Sequence, residues 1–321
     1  MKKKTILPMP PTDQLPYENI KEEWSSLTFD RYVVRMAQLY WASWPLTEKI
    51  WPNFTYNNEA WGIMGDHYSW FLLPDQTIEK RLSNELSDEI KDLDQEVDYN
   101  SYPLYRLPIS EEETDEKFKK PFDKGEIEIF PTSNLLFTIY SHELFHGHQR
   151  EWVYPDPPMD INTPDIIDIL AKNPEARKLR LALFENIRNA LLFPLEQERY
   201  LNIAKYWANH YYEKYAQEAE LIQNIDFTEG SARYFEIAIT CRALFGFDCT
   251  KEEMRAHYTK LVMSHFTPKR IEENIALEPY NIGGIAGLLL ELNNISDWQN
   301  RVASGQRLED VLLENYIPCA P

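Results

Sequence analysis

Eleven of the 21 prolines fall in the first 131 residues, and none occurs from Leu195 to Thr267. Proline removes a backbone donor and clashes with the preceding helical turn, so a proline-free stretch of this length is where helices run unbroken. Glycine points the same way. Ten glycines in 321 residues, roughly 3% against a usual ~7%, suit helices better than a turn-rich sandwich or barrel. Residues 1–125 therefore read as a mixed α+β N-terminal portion, and residues 126–321 as a mostly helical domain. The expected class is mainly α with a small antiparallel β portion.

The periodicities fill in this outline. Tyr32, Val33, Met36, Leu39 and Tyr40 lie at helical spacing and predict a helix over 29–43. Ile50–Tyr56, Ala60–Met64 and Tyr68–Leu73 are short runs rich in aromatic and β-branched residues. The turn signals Asn57-Asn58 and Gly65-Asp66 lie between them, which predicts a small meander. The charged stretch Ile78–Val97 reads as a solvated helix, and Glu126–Phe130 alternates as a half-buried strand does. An apolar helix is expected from Asn134 to Trp152, and further helices over 164–172, 175–193, 195–223, 228–245, 251–264, 268–275, 281–293, 297–303 and 307–315. Thr250 with Glu253 and Ser296 with Gln299 match capping boxes, while Gly246 and Gly305 sit where C-caps belong.

Composition narrows the function classes. With 33 Lys+Arg against 52 Asp+Glu the formal charge is −19. That charge offers no basic footprint for nucleic acid and no attraction to an anionic membrane surface. No apolar run approaches the ~20 residues needed to span a bilayer. MKKKTILPMPP imitates the start of a signal peptide, but prolines interrupt it after Thr-Ile-Leu. Cys241, Cys249 and Cys319 make an odd, widely spaced set, read as reduced thiols of a soluble, cytoplasmic protein.

The chemistry is concentrated in Ser141-His-Glu-Leu-Phe-His-Gly-His148, which holds three of the seven histidines. His142, Glu143 and His146 match H-E-x-x-H. Residues four apart on a helix share a face, so both imidazoles can point at one metal. Glu143 lies beside them, placed to act as general base on a metal-bound water. The structural alternative is an amphipathic helix whose polar residues are merely solvated. A largely apolar helix is a poor place for two uncompensated imidazoles. His148 follows by two residues, off the ligand face, and reads as a cleft-wall residue.

A catalytic zinc site needs a third protein ligand. The longer motif H-E-x-x-H-x-x-G-x-x-H is excluded, because Gln149 and Trp152 stand where it needs glycine and histidine. Thr228-Glu-Gly-Ser-Ala-Arg-Tyr-Phe-Glu236 is the better candidate. Glu229, Gly230, Ala232, Tyr234 and Glu236 spell E-G-x-A-x-Y-x-E. Here the chain resembles the gluzincin class of zinc metallopeptidases, including largely helical bacterial, oligopeptidase-like families, over about residues 126–290. That resemblance implies a zincin-like catalytic core with Glu229 as third ligand beside His142 and His146, and Zn²⁺ as the cofactor. Asp226-Phe-Thr-Glu229 also matches a capping box, which is the structural alternative for Glu229. Asp165 is a rival ligand, although Thr163-Pro164-Asp165 looks like a plain helix start. Arg233 and Glu236 are candidates to orient the ligands.

Three glycines, Gly283, Gly284 and Gly287, cluster after Tyr280 in a chain poor in glycine. They suit close helix packing or close approach of backbone to a ligand. In similar helical metallopeptidases a tyrosine ahead of such glycines faces the metal. That resemblance makes Tyr280 the first candidate to assist the oxyanion and Tyr234 the second, with core packing the alternative for each. The expectation is a zinc metallopeptidase acting on a peptide or small protein, with neither nucleic acid nor membrane as partner. The Glu126–Phe130 strand would pair with an extended substrate. A same-fold hydrolase of a non-peptide or modified-peptide bond, and a non-catalytic binder of metal or peptide, are the competing readings.

Overall fold

The computed structural model describes residues 5–6, 29–93, 95–110, 132–152, 170–245 and 249–321. The Glu126–Phe130 strand, most of the 164–172 helix with Asp165, and Gly246 lie outside the described residues. The chain is mainly helical with a small curled mixed sheet. It divides into two compact units, Met1–Leu144 with Arg242–Phe247, and Phe145–Cys241 with Asp248–Pro321.

The first unit holds the sheet. Its strands are β1 (Thr5–Ile6), β2 (Ala60–Met64), β3 (Tyr68–Leu72), β4 (Ile78–Leu82), β5 (Asp98–Tyr99) and β6 (Tyr102–Pro108). Their order is β1-β4-β3-β2-β6-β5, antiparallel throughout except where β6 runs parallel to β2. Helix α1 (Phe29–Ser43) and the single turn α2 (Thr47–Ile50) lie between β1 and β2, and the short α3 (Asp88–Lys91) follows β4. Ala60, Phe71, Leu73, Leu86, Tyr99 and Leu104 form a core cluster, with the Phe71 and Tyr99 rings stacked at 4.0 Å.

Two sequence expectations fail in this unit, for physical reasons. The stretch 78–97 is not a solvated helix, because its charges have partners on neighbouring strands and loops. Tyr99 and Asn100 donate to the Glu79 carboxylate, and Lys80 reaches Asp30 and sits 4.0 Å over the Tyr68 ring. The Arg106 guanidinium donates to the carbonyls of Glu89, Ile90 and Asp92, so the chain after β4 closes on β6. Residues 50–56 form no strand either: the chain ends α2 at Ile50 and turns at Asn53, whose φ is 64°.

Helix α4 (Thr132–Gln149) carries the H-E-x-x-H motif and starts in the first unit. Trp61 of β2 stacks on Phe137 and Tyr140. The Tyr140 hydroxyl donates to the carbonyl of Gly62 at 2.9 Å and to that of Leu107 at 3.3 Å. One phenol thus holds the helix to both members of the parallel strand pair, two residues before His142.

Among its described residues the second unit is built of helices: α5 (Pro174–Leu192), α6 (Gln197–Lys214), α7 (Ala216–Leu221), α8 (Gln223–Phe245), α9 (Lys251–His265), α10 (Pro268–Glu273), α11 (Leu277–Leu292), α12 (Trp298–Ala303) and α13 (Leu308–Leu313). The expected helix 195–223 is two helices, broken at Tyr215. Thr250 and Glu253 form the expected capping box on α9. The Ser296/Gln299 box is absent; Asp297 stands at the N-cap of α12 in the left-handed region with φ 59°, and its carboxylate accepts from the Asn300 side chain instead of capping the backbone. Gly305 does take a left-handed φ, 95°.

Helix α8 is buried on nearly every side, and none of its residues from Gln223 to Cys241 is exposed. A helix with no wet face must match each polar group internally. Asp226 is bound by Arg180 of α5 and by Arg307, and Arg180 also reaches Glu278 of α11. Arg177 joins Glu278 to Glu218. Burial, with Asp226 and Asp310 nearby, pushes the Glu309 carboxyl up to about 8 from 4.5. Protonation of Glu309 therefore favours the folded state, and that contribution is complete below the unfolded value and lost as pH rises through the folded one. Thermal melts at pH 5, 7 and 9 should show Glu309→Gln gaining stability relative to wild type as pH increases. A difference that stays constant across that range would contradict the assignment.

Candidate metal centre

His142 and His146 lie one turn apart on α4, and Glu229 lies on α8. One ligand atom from each falls within 4.8 Å of the others, a group that can hold a metal ion. His146 Nε2 and Glu229 Oε2 are 3.3 Å apart. Tetrahedral coordination with bonds of about 2.0 Å has an edge of about 3.3 Å, so this pair is spaced as two donors to one ion. Two imidazoles and a carboxylate also form a suitable donor set. His142 is 5% exposed, while the side chains of His146 and Glu229 are 29% and 16% exposed, leaving a path from solvent.

The helices are registered by aromatic stacking. Phe145 lies on Phe235 at 4.8 Å with planes 9° apart, and Trp152 stacks on Phe227 at 6.2 Å. As the α4 segment advances from 145 to 152, its α8 partners retreat from 235 to 227, so the two run antiparallel. Glu229 enters this register in the second turn of α8, since the helix begins at Gln223. The capping-box reading of Asp226 and Glu229 is therefore corrected: Asp226 is an interior residue held by arginines, and the Glu229 carboxylate approaches His146.

A third helix sets the depth of α8. At Gly230 and Gly283 the backbones of α8 and α11 touch; a Cβ on Gly230 would stand 2.8 Å from the Gly283 Cα. Gly284 and Gly287 make room instead for side chains of α8: a Cβ there would stand 2.8 Å from Cγ of Arg233 and 2.6 Å from Cγ of Tyr234. The glycine cluster is thus a helix-crossing device beside the candidate ligand.

The remaining candidates fall elsewhere. The Tyr234 hydroxyl donates to Glu291 at 3.0 Å, sharing that carboxylate with Tyr258, and its ring meets Trp298 edge-on. Tyr280 is half-buried in the first turn of α11 and packs beside the cluster of Leu170, Tyr211 and Ile225. Arg233 pairs with Glu236 on its own helix and lies over the Phe266 ring. Glu143 is half-buried between the two histidines in sequence. Burial lowers the His148 pKa, and its ring sits between Phe145 and Trp152.

Sequence reasoning missed Gln149, Thr228 and Ser231, which are buried and bonded to one another. In the sequence Gln149 stands only as a mismatch to a longer motif, although an amide three residues after a candidate ligand histidine is itself a signal. Gly283→Ala would place a methyl against the α8 backbone. It should cost about 1–3 kcal/mol and lower the metal content of the purified protein. Gly147→Ala, whose Cβ meets nothing within 4 Å, should leave the melting temperature unchanged or slightly raised. Equal behaviour of the two variants in thermal denaturation would contradict the crossing argument. No protein-family model, curated protein or solved structure matches the chain significantly.

Proposed function

We propose that the chain is a zinc-dependent metallopeptidase with a gluzincin-like ligand set on a zincin-like core. The observation that carries the reading is the convergence of His142, His146 and Glu229, with Glu143 following the first of them on the same helix. A two-histidine, one-carboxylate set leaves a coordination position open, as catalytic zinc requires and structural zinc does not. Bound zinc supplies Lewis acidity, which acidifies water and polarises a carbonyl.

The chain's own groups supply the rest. Glu143 accepts a proton at its carboxylate from the attacking water and returns it to the departing amine. Its place between the histidines gives it a use that a purely structural metal site lacks, which favours catalysis over simple binding. Tyr280 is the first candidate to donate to the developing oxyanion, and Tyr234, whose hydroxyl donates to Glu291, the second. The substrate is a peptide or small protein. The odd cysteine count favours a cytoplasmic setting, and no helix among the described residues is long and apolar enough to cross a membrane.

Elemental mass spectrometry should find stoichiometric zinc in the wild type and a clear loss in Glu229→Ala. Glu143→Gln should keep its zinc while cleavage of a peptide library falls by at least about 10²-fold. Full zinc in Glu229→Ala would remove the third ligand, and undiminished cleavage by Glu143→Gln would remove the general base.

A further inference from the structure

We propose that Gln149 is a positioning residue that fixes the tautomer and orientation of His146 and ties that ring to the helix carrying Glu229. The proposal deepens the metallopeptidase reading and rests on it. Gln149 is 1% exposed, and its side chain spans α4 and α8. Its amide nitrogen donates to the carbonyl oxygen of Thr228 and to Ser231 Oγ, each at 2.8 Å. Its Oε1 lies 2.6 Å from His146 Nδ1.

These contacts settle the direction of every bond. A carbonyl oxygen only accepts, so the amide nitrogen must face Thr228. Ser231 Oγ donates to the Phe227 carbonyl at 2.5 Å, which leaves it a lone pair to accept from Gln149. The amide cannot be flipped, and Oε1 therefore faces the imidazole. Because Oε1 has no proton to give, Nδ1 must carry one and donate it. Nε2 is then the nitrogen with a lone pair for a metal, and it is Nε2 that lies 3.3 Å from Glu229 Oε2.

The same amide acts on the third ligand. Thr228 and Ser231 flank Glu229 and Gly230, so the bonds that fix the Gln149 amide also fix the turn of α8 from which Glu229 projects. Gln149 thus sets two ligands relative to each other before any ion arrives. A partner on the far nitrogen of a ligating histidine orients the ring and raises its basicity, and losing such a partner typically lowers metal affinity 10- to 100-fold.

The test compares Gln149→Leu with Gln149→Glu in the full-length, metal-stripped protein. Zn²⁺ and Co²⁺ affinities are read by competition with a chromophoric chelator, beside thermal melts and ¹⁵N spectra of labelled histidine. Gln149→Leu, similar in volume but without hydrogen bonds, should lose about 10- to 100-fold in affinity for both ions. The His146 resonances should show protonated Nδ1 in the wild type and a shift toward protonated Nε2 in this variant. Gln149→Glu keeps an acceptor for Nδ1 but turns an oxygen toward the Thr228 carbonyl. It should retain wild-type or tighter metal affinity and melt at a lower temperature. A merely structural glutamine would lower the melting temperature in both variants and leave affinity and tautomer unchanged, which would overturn the proposal. Wild-type protein that binds neither ion would instead overturn the metal site, whereas tight wild-type binding matched by Gln149→Leu removes the role of Gln149 alone.

Discussion

A carboxylate taken out of water is tolerable only when cations and donors replace its hydration, and Asp226 is the residue on which that condition bears hardest. It is 1% exposed, and Arg180 and Arg307 meet it from other parts of the helical unit. Removing one member of such a group typically costs 3–5 kcal/mol, because the remaining charge stays buried. Arg180 itself is fully buried and shared with Glu278, so Asp226 and Glu278 fasten α5, α8 and α11 through one guanidinium. Much of the second unit is arranged around this requirement.

The candidate metal centre follows from the same anchoring. Three residues of helix advance the side-chain direction by about 300°, so Glu229 departs from Asp226 by only about 60° around α8. Pinning Asp226 among arginines limits how far Glu229 can swing. The glycine crossing at Gly230 and Gly283 fixes the depth of the same turn, and the Phe145–Phe235 stack fixes its register against α4. In the sheet-bearing unit, Tyr140 ties the preceding turn of α4 to β2 and β6. Each constraint acts within one turn of a proposed ligand, which is how a site gains the preorganisation that coordination geometry demands.

What was legible in the sequence was whatever depended on local pattern. Helical spacing marked α1 within the observed bounds, and β2 and β3 followed from aromatic runs between turn signals. The H-E-x-x-H spacing and the later E-G-x-A-x-Y-x-E segment picked out the three residues that come together. Non-local features were hidden. Nothing in 78–97 says that Glu79 will meet Tyr99 and Asn100, so on pattern alone the charged run reads as a wet helix. The start of α8 was misplaced because Asp226 looks like a cap until its arginines are known, and they come from positions 180 and 307. Gln149 escaped for a related reason: its meaning lies in Thr228 and Ser231, which only the antiparallel register of two helices brings to it.

We propose that His142, His146 and Glu229 act together as the ligands of one catalytic zinc ion. X-ray absorption at the zinc edge of the zinc-loaded protein addresses it most directly. The spectrum should show a first shell of nitrogen and oxygen at about 2.0 Å, with outer-shell scattering from two imidazoles and no sulfur. A shell containing sulfur at about 2.3 Å, or imidazole scattering that persists unchanged when His142 and His146 are both replaced, would contradict it.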